Sequence, residues 1–441
     1  MATIAPFTGI RYNPYKVGDL SKVVSQPYDR IGPDLQKKYY DLHPYNIVRL
    51  IRGQEFDDDT PAHNVYTRAR DYFQTWLDAG YLLRDPAPAL YVYHQTFTLP
   101  DGTRLTRKAF IAALQLVDLS EGTVLPHERT LAGPKVDRLN LLRATGLNFE
   151  LIFMLYPDPE NRINTLFDAA IADRPPDAEV QELFEKDVRQ QMWVVSDPQV
   201  LAAVTAEMAA KRGLIIADGH HRYETALNYR AEMRDRHPNA PANAAFNYVL
   251  VSLVSMDDPG LTILPTHREI HDYSAKTPAE ILEGARAYFE VTPMSDRAAL
   301  EAAMAQATPD DRRIGFYDGS YFLLRLRDPA IMDQIVPDRA PEWRRLDVSI
   351  LHELIIERVM GISKQQVENK QFLDYYRDLN QAIAHVDAGQ AVCVFIMNPT
   401  RISEVKACST RGEKMPQKST DFYPKMISGL VMMDVRASER I

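Results

Sequence analysis

The chain has 441 residues, of which 45% are hydrophobic and 25% are charged. This length exceeds one compact core and predicts two or three domains of an ordinary globular protein. The formal net charge of −9 argues against non-specific binding to nucleic acid. No apolar run approaches the roughly 18 residues that span a membrane, and the amino-terminal residues lack the features of a signal peptide. We therefore expect a cytoplasmic protein whose two cysteines, Cys393 and Cys408, stay reduced.

The region 1–118 has the pattern of a mixed α/β unit. The apolar-rich residues 46–51 predict a strand, and apolar residues recur at helical spacing over 62–79. Two further strands, at 90–99 and 104–116, flank a Pro-Asp-Gly turn. That combination predicts a β-hairpin.

The run from Gly213 to Arg230 contains the strongest candidate site. Its first apolar residues predict a buried strand, which Asp218 and Gly219 interrupt. From His220 onward, apolar residues recur three and four positions apart, which predicts a helix. A buried strand therefore enters a helix through a turn that carries a carboxylate, two imidazoles and a guanidinium.

Such a turn suits an anion, because the first N–H groups of a helix lack internal partners and can bind a phosphate. Gly219 lets the backbone approach the phosphate, Arg222 can grip its oxygens in a bidentate fork, and His220 can add a donor. Asp218 suits a Mg²⁺ ligand, an orienter of His221, or a base beside the transferred group. An ordinary Asp-Gly turn in which Asp218 caps the helix remains the alternative.

The adjacent histidines at 220 and 221 do not predict a zinc site. Neighbouring residues on a helix point about 100° apart. No cysteine or histidine lies at ligand spacing nearby in the sequence. Zinc is therefore disfavoured.

A second candidate segment, Pro126 to Thr130, carries three ionisable side chains ahead of a helix predicted at 134–144. Glu128 could act as a general base on an acceptor hydroxyl, with His127 as the alternative base. His127 and Arg129 could also supply positive charge to an anion. A solvated charged loop explains the same residues.

The region 272–441 predicts a separate α/β lobe. Helices are expected at 346–359 and 375–388, and a buried strand at 391–397. The tail from Lys414 to Lys425 has two prolines and predicts an ordered loop.

Two further groups of residues in the second half of the chain could meet an anion. His267 and Arg268 could supply charge to a second phosphate, or could merely close a strand end. Side chains of the tail loop could meet phosphates or a carboxylate; they are Lys418, Ser419, Thr420 and Lys425.

The Asp-Gly-His-His-Arg motif at 218–222 resembles the phosphate-binding motif of the ParB/sulfiredoxin superfamily, and most closely its free-serine kinases. Over its whole length the chain resembles a bacterial and archaeal family named domain of unknown function 1015. The matching segments are Gln26–Asp29, Pro126–Thr130, 218–227, Leu264–Arg268 and Met415–Gly429.

These resemblances imply an α/β fold with mixed sheets in three parts. A ParB/sulfiredoxin-like nucleotide- and phosphate-binding core at 119–271 would follow the N-terminal region 1–118, and an additional α/β lobe would occupy 272–441. The function implied is phosphoryl transfer to a small hydroxylated metabolite, with free serine or O-phosphoserine as the small molecule. ATP or ADP and Mg²⁺ are the implied cofactors.

Three other functions are compatible with the same motif. A phosphoserine-type phosphatase would use the same residues with water as the acceptor. A ParB-like nucleotide-binding regulatory protein would bind nucleotide without catalysis, although the acidic chain shows no basic recognition helix. A sulfiredoxin-like reductase is disfavoured because the motif has histidine where that chemistry requires cysteine.

Overall fold

The computed structural model describes residues 2–128 and 132–441. The chain forms two compact units. Unit 1 comprises residues 1–126, 130–262 and 424–441, and unit 2 comprises residues 127–129 and 263–423. Both units combine helices with β-sheets, which confirms the predicted mixed α/β fold class.

The strands of the described residues are short, and most are buried on at least one face. In chain order they are β1 (Ile4–Ala5), β2 (Ile10–Tyr12), β3 (Leu82–Arg84), β4 (Leu90–Thr98), β5 (Arg104–Gln115), β6 (Val124–Pro126), β7 (Leu147–Asn148), β8 (Ile152–Tyr156), β9 (Ala178–Gln181), β10 (Val188–Val195), β11 (Leu214–Asp218), β12 (Tyr248–Ser255), β13 (Thr262–Leu264), β14 (His267–Ile270), β15 (Phe289–Met294), β16 (Arg313–Tyr317), β17 (Tyr321–Leu326), β18 (Leu373–Tyr376), β19 (Cys393–Ile396), β20 (Asp421–Tyr423) and β21 (Met433–Asp434).

The helices range from single turns to the long helix that follows the candidate turn. They are α1 (Pro14–Val17), α2 (Pro33–Leu42), α3 (Val48–Ile51), α4 (Val65–Asp78), α5 (Ala132–Thr145), α6 (Arg162–Ile171), α7 (Pro198–Ala209), α8 (His220–Arg236), α9 (Pro278–Ala285), α10 (Arg297–Met304), α11 (Ile331–Ile335), α12 (Pro341–Arg344), α13 (Asp347–Ile350), α14 (Lys364–Glu368), α15 (Leu379–Asp387) and α16 (Ile402–Thr410). A π-helix, Leu351–Val359, continues α13. Across the described residues, no helix has both the length and the apolar character that crossing a membrane requires.

A nine-stranded mixed sheet forms the centre of unit 1. Its order is β6-β11-β8-β12-β5-β4-β10-β9, with β1 pairing with β5. β11 runs parallel to β6 and antiparallel to β8. The central strands read as continuous apolar runs because side chains are buried on both of their faces. On this sheet β11 ends at Asp218, so the sheet fixes where the candidate turn begins.

A six-stranded antiparallel sheet forms the centre of unit 2. Its order is β15-β17-β16-β19-β14-β18. Helices α10 and α15 pack against it, and their apolar faces share a core with residues such as Leu300, Ala382 and Ile396. β14, which carries His267 and Arg268, lies between β19 and β18.

The strand predicted at 46–51 is wrong, because these residues form a turn and then helix α3. The Asn46 side chain accepts the N–H of Val48 at 2.9 Å and donates to the carbonyls of Lys22 and Val24. This side-chain bonding stabilises the helical turn. Both Val48 and Ile51 are buried. The segment therefore buries side chains on several sides, whereas a half-buried strand would show alternating buried and exposed side chains.

Two predicted helices of unit 2 have different bounds in the structure. The helix predicted at 346–359 divides into α13 and the π-helix. The helix predicted at 375–388 begins only at Leu379, where the Asp378 side chain caps it, and the preceding residues belong to β18. The predicted tail loop also contains β20. The hairpin, the helices at 62–79 and 134–144 and the strand at 391–397 are confirmed.

The three-part division at residues 118 and 271 concerns independently folding domains and stays a prediction. The sheet of unit 1 takes strands from both sides of residue 118, since β4 and β5 precede it and β8, β11 and β12 follow it.

We expect Gly260→Ala to lower the free energy of unfolding by about 1–3 kcal/mol or more, because overpacking against backbone cannot relax cheaply. A Cβ atom at this position would lie 2.3 Å from the carbonyl oxygen of Thr106 and 2.6 Å from the Cα of Arg107. Urea unfolding of the full chain measures the change. Gly133→Ala is the control, because among the described residues outside its own helix no atom lies within 4 Å of its Cβ position. Equal stability of the two variants would contradict the close approach at Gly260.

Candidate functional site

The strand-to-helix turn at the end of β11 depends on a glycine. Gly219 has φ of 95° and ψ of 28°, the left-handed region that side chains rarely adopt. A Cβ atom there would also lie 3.0 Å from Nε of Arg222. Because this glycine is the N-cap residue of α8, the N-cap position supplies no side-chain hydrogen bond to the first amides of the helix.

Arg222 folds back over this turn. Its Nη1 donates to the carbonyl oxygen of Leu151, and its Nη2 lies 3.8 Å from Oδ2 of Asp218. Burial lowers the pKa of Arg222, but the carboxylates of Asp218 and Glu150 bring it above its ordinary value. The guanidinium is therefore a fixed positive charge beside the helix start.

Lys425, from the carboxyl-terminal segment of unit 1, brings a second cation to Asp218. Its Nζ lies 3.6 Å from Oδ2 of Asp218. Both side chains are only partly exposed, 14% for the lysine and 24% for the aspartate. Two cations thus flank one carboxylate at distances longer than a hydrogen bond.

Arg107 and Gln95 hold the backbone around Lys425. The two residues are opposite each other in the β4–β5 hairpin, and Nε of Arg107 donates to Oε1 of Gln95 at 3.0 Å. Nη2 of Arg107 donates to the Pro424 carbonyl at 2.5 Å, and Nε2 of Gln95 donates to the Lys425 carbonyl at 2.9 Å. The guanidinium also lies 4.7 Å from the ring centroid of Phe153. Lys425 is therefore positioned through its backbone.

Burial lowers the pKa of Arg107 to about 10, although Tyr93, Asp258 and Asp218 act in the opposite direction. The sequence analysis missed Arg107 and Gln95. Both are polar residues inside strands that are otherwise buried. A polar residue at an inward-facing strand position is the signal that could have found them.

Glu150 binds residues of the segment 26–30 in unit 1. Its Oε1 accepts the N–H of Tyr28 at 3.0 Å, and its Oε2 lies 3.2 Å from Nη1 of Arg138. The Arg138 guanidinium lies 4.1 Å from the centroid of the Tyr28 ring. Glu150 and Asp29 both raise the pKa of Arg222, so this loop contributes to the electrostatics of the turn.

The two histidines of the turn differ in exposure. His220 is buried, whereas His221 is half-buried. Burial is the largest cause that lowers the pKa of His221, with Lys135 and Arg222 acting in the same direction and Glu224 against it. At pH 7 His221 is therefore a neutral imidazole, which can donate or accept one proton. The side chain is suited to relaying a proton or to donating a hydrogen bond.

A metal ion held by protein side chains alone does not fit the turn. In the described part of the chain, no three histidine, cysteine, aspartate or glutamate side chains form a group that could hold a metal. Asp218 supplies one carboxylate, and Mg²⁺ commonly takes one or two carboxylates together with substrate phosphates. The residues thus fit only a Mg²⁺ that arrives with a phosphate ligand.

The predicted residues His127, Glu128 and Thr420 come together in unit 2. Nε2 of the fully buried His127 lies 2.8 Å from Oγ1 of Thr420. The same hydroxyl donates to Oε1 of Glu128 at 3.5 Å. The threonine hydroxyl is thus placed between an imidazole and a carboxylate. Arg129 lies outside the described residues.

The remaining predicted residues of unit 2 are bonded to backbone groups. Arg268 donates to the carbonyl of Lys418 at 3.0 Å, and the hydroxyl of Ser419 donates to the Pro416 carbonyl at 2.6 Å. Nδ1 of His267 accepts the N–H of Met397 at 3.2 Å, and burial lowers the pKa of this histidine to about 4. The neutral His267 therefore adds no positive charge at pH 7.

The predicted site residues thus lie in both units. Those of unit 1 gather around the turn: Asp218, Gly219, His220, His221, Arg222 and Lys425. Those of unit 2 are His127, Glu128, His267, Arg268, Lys418, Ser419 and Thr420. Their binding and catalytic roles stay predictions.

A family model described as "Protein of unknown function (DUF1015)" matches residues 4–349. The chain belongs to this family. A comparison with curated proteins finds no match.

Among solved structures, the chain is similar to a conserved hypothetical protein from Pyrococcus furiosus, with 14% identity and a TM-score of 0.33 over 74% of this chain and 96% of that one. It is also similar to a free serine kinase in complex with AMP, with 13% identity and a TM-score of 0.36 over 74% of this chain and 92% of that one. A mutant of a free serine kinase in complex with ADP gives a TM-score of 0.35 at 13% identity, with the same coverage. At these scores the neighbours carry no inference about activity, and the resemblance to ParB/sulfiredoxin proteins remains one of the motif at 218–222.

The carboxyl group of Glu182 supports the loop at 26–30 and makes unit 1 sensitive to pH. It accepts amide N–H groups of Gln26 and Gln190. Burial raises its pKa to about 8, with Glu185 adding to the rise and the two amides opposing it. Because the folded-state pKa exceeds the unfolded value of about 4.3, the stabilisation is complete below that value and is lost as pH rises towards 8.

We therefore expect Glu182→Gln to gain stability relative to the parent chain between pH 5 and pH 8, with a slope of up to about 1.4 kcal/mol per pH unit. Urea unfolding at several pH values measures the difference. Glu55→Gln is the control, because Glu55 is exposed in the same unit. A stability difference that does not vary with pH would show that Glu182 is already ionised in the folded protein.

Proposed function

We propose that the chain is a phosphoryl-transfer enzyme that acts on a small hydroxylated metabolite. The turn at 218–222 would hold the phosphate of a nucleotide or phosphomonoester. The observation that carries the proposal is the placement of both Lys425 and Arg222 near the Asp218 carboxylate, at the start of a helix whose N-cap residue is glycine.

The distances at the turn favour a phosphate ligand. The cations lie 3.6 Å and 3.8 Å from the Asp218 carboxylate, so neither ion pair is closed by a short hydrogen bond. A phosphate oxygen between them would gain charge-assisted hydrogen bonds from Lys425 and Arg222. The positive end of the α8 dipole would add to the attraction.

The choice of nucleotide and metal rests on the resemblance of the motif at 218–222 to that of the free-serine kinases. ATP or ADP would supply the phosphoryl group, and Asp218 would be the protein ligand of a Mg²⁺ ion that enters on the nucleotide. Such an ion neutralises phosphate charge during transfer. The predicted cytoplasmic location rests on the sequence alone.

In the proposed reaction, the hydroxyl oxygen of the acceptor forms a bond to phosphorus while the bond to the leaving oxygen of the nucleotide breaks. The hydroxyl proton passes to a general base. Free serine is the acceptor that the resemblance implies, with O-phosphoserine as the product. Arg222 and Lys425 would stabilise the charge on the transferred group.

We expect phosphoserine to form when the purified chain is offered ATP or ADP, Mg²⁺ and L-serine, as followed by ³¹P NMR. Lys425→Met and Asp218→Asn should each lower the rate by about 10²–10³-fold, the usual loss when one transition-state contact is removed. Lys38→Met is the control, because Lys38 is an exposed lysine of α2.

Three other outcomes have separate meanings. Release of inorganic phosphate from O-phosphoserine, lost in the same variants, would replace the kinase proposal by a phosphatase. Nucleotide binding with neither reaction would favour a regulatory protein. Activity that survives both substitutions would remove the turn from the site.

The predicted base gives a further expectation. Glu128→Gln should lower kcat by about 10²–10⁴-fold, the contribution of a positioned general base. Glu55→Gln is the control, because Glu55 is exposed in unit 1, and it should leave kcat unchanged. A kcat of Glu128→Gln equal to that of the parent chain would remove Glu128 from the reaction.

A further inference from the structure

Arg268 of unit 2 is a buried arginine. Among the described residues, no acidic side chain forms an ion pair with it. It is 1% exposed. Nη1 donates to the Thr266 carbonyl, and Nη2 donates to the carbonyl of Lys418 at 3.0 Å. Its Nε is buried without a hydrogen bond. A buried cation that meets only backbone carbonyls is poorly compensated, and burial lowers the pKa of Arg268 to about 10.

Tyr375 lies beside this guanidinium. The two residues are directly opposite in the pairing of β14 with β18, and Cζ of Arg268 is 5.5 Å from the centroid of the tyrosine ring. The Tyr375 hydroxyl is buried and has no hydrogen bond, although a buried tyrosine hydroxyl usually finds a partner. Burial, Asp374 and Glu128 raise the pKa of Tyr375 while Arg268 opposes them. The hydroxyl therefore keeps its proton and can donate it.

His352 supplies a third polar atom without a hydrogen bond, its buried Nε2. Burial lowers the pKa of His352 to about 3, and the charge of Arg268 acts in the same direction, so the imidazole is neutral. His352 lies in the π-helix Leu351–Val359. Such helices are rare and often occur at functional sites.

We infer that Arg268 and Tyr375 form a binding site in unit 2 for a small oxyanion, the phosphate or carboxylate group of a small molecule. One fixed cation and one neutral hydroxyl donor match the charge and the acceptor atoms of such a group. Binding would also satisfy buried polar atoms that proteins rarely leave without partners. The site goes beyond the proposed function, whose phosphate lies at the turn of unit 1.

Isothermal titration of the full chain with inorganic phosphate, and separately with acetate, tests the inference. All proteins carry Lys425→Met, which weakens phosphate binding at the turn of unit 1. Tyr375→Phe is the test variant, because it removes only the hydroxyl. Arg268→Lys would also release the backbone carbonyls that the guanidinium holds, so it is less informative.

We expect Tyr375→Phe to weaken anion binding about tenfold, the loss typical of one hydrogen bond to a charged group. Ser252→Ala is the matched control, because its hydroxyl is also buried without a hydrogen bond but lies in β12 of unit 1. That substitution should leave the affinity unchanged. A preference for phosphate or for acetate identifies the group that the site takes.

Absence of binding by both anions overturns the inference, as does equal affinity of Tyr375→Phe and its parent. Thermal unfolding in anion-free buffer adds a second criterion. Removing a hydroxyl that has no partner should leave Tm unchanged or raise it. A lower Tm would mean that the hydroxyl already bonds to a buried water molecule, and would assign the polar atoms of Arg268 and Tyr375 to hydration instead of an anion.

Discussion

The buried guanidinium of Arg107 is the interaction on which the candidate site of unit 1 depends. Its donors reach Gln95 on the neighbouring strand and the carbonyl of Pro424. Because Gln95 also bonds to the carbonyl of Lys425, one pair of polar side chains inside a sheet fixes a segment distant in sequence. A cation in the centre of a sheet is costly unless its donors are satisfied, so the segment and the arginine stabilise each other.

This constraint has an electrostatic consequence at the turn. Backbone bonds hold Lys425 beside Asp218, and its Nζ lies 3.6 Å from Oδ2 of that carboxylate. Arg222 reaches the same carboxylate from within α8. The position of both cations is set by groups other than the carboxylate, and such prior placement lets a site bind an anion without reorganising.

Much of the secondary structure could be read from the sequence, since it depends on local patterns. Three elements show a pattern of apolar and turn-forming residues that is visible within a few neighbouring positions. They are the Pro-Asp-Gly hairpin, the amphipathic helix of 62–79 and the strand entering the turn at Asp218. The strand prediction for the segment 46–51 failed because the Asn46 side chain accepts the N–H of Val48, two residues along the chain. A local hydrogen bond of this kind outweighs a weak strand preference.

Local patterns of residues were enough to predict the mixed α/β class, the strand–glycine–helix turn and the chemistry of its side chains. Which distant residues join that turn became clear only from the folded chain. Lys425 was included among the candidates through a family resemblance, whereas Gln95, Arg107 and Glu150 were not recognised at all. The physical reason is that their positions depend on strand register and buried hydrogen bonds between segments far apart in the chain, and no local pattern encodes these pairings.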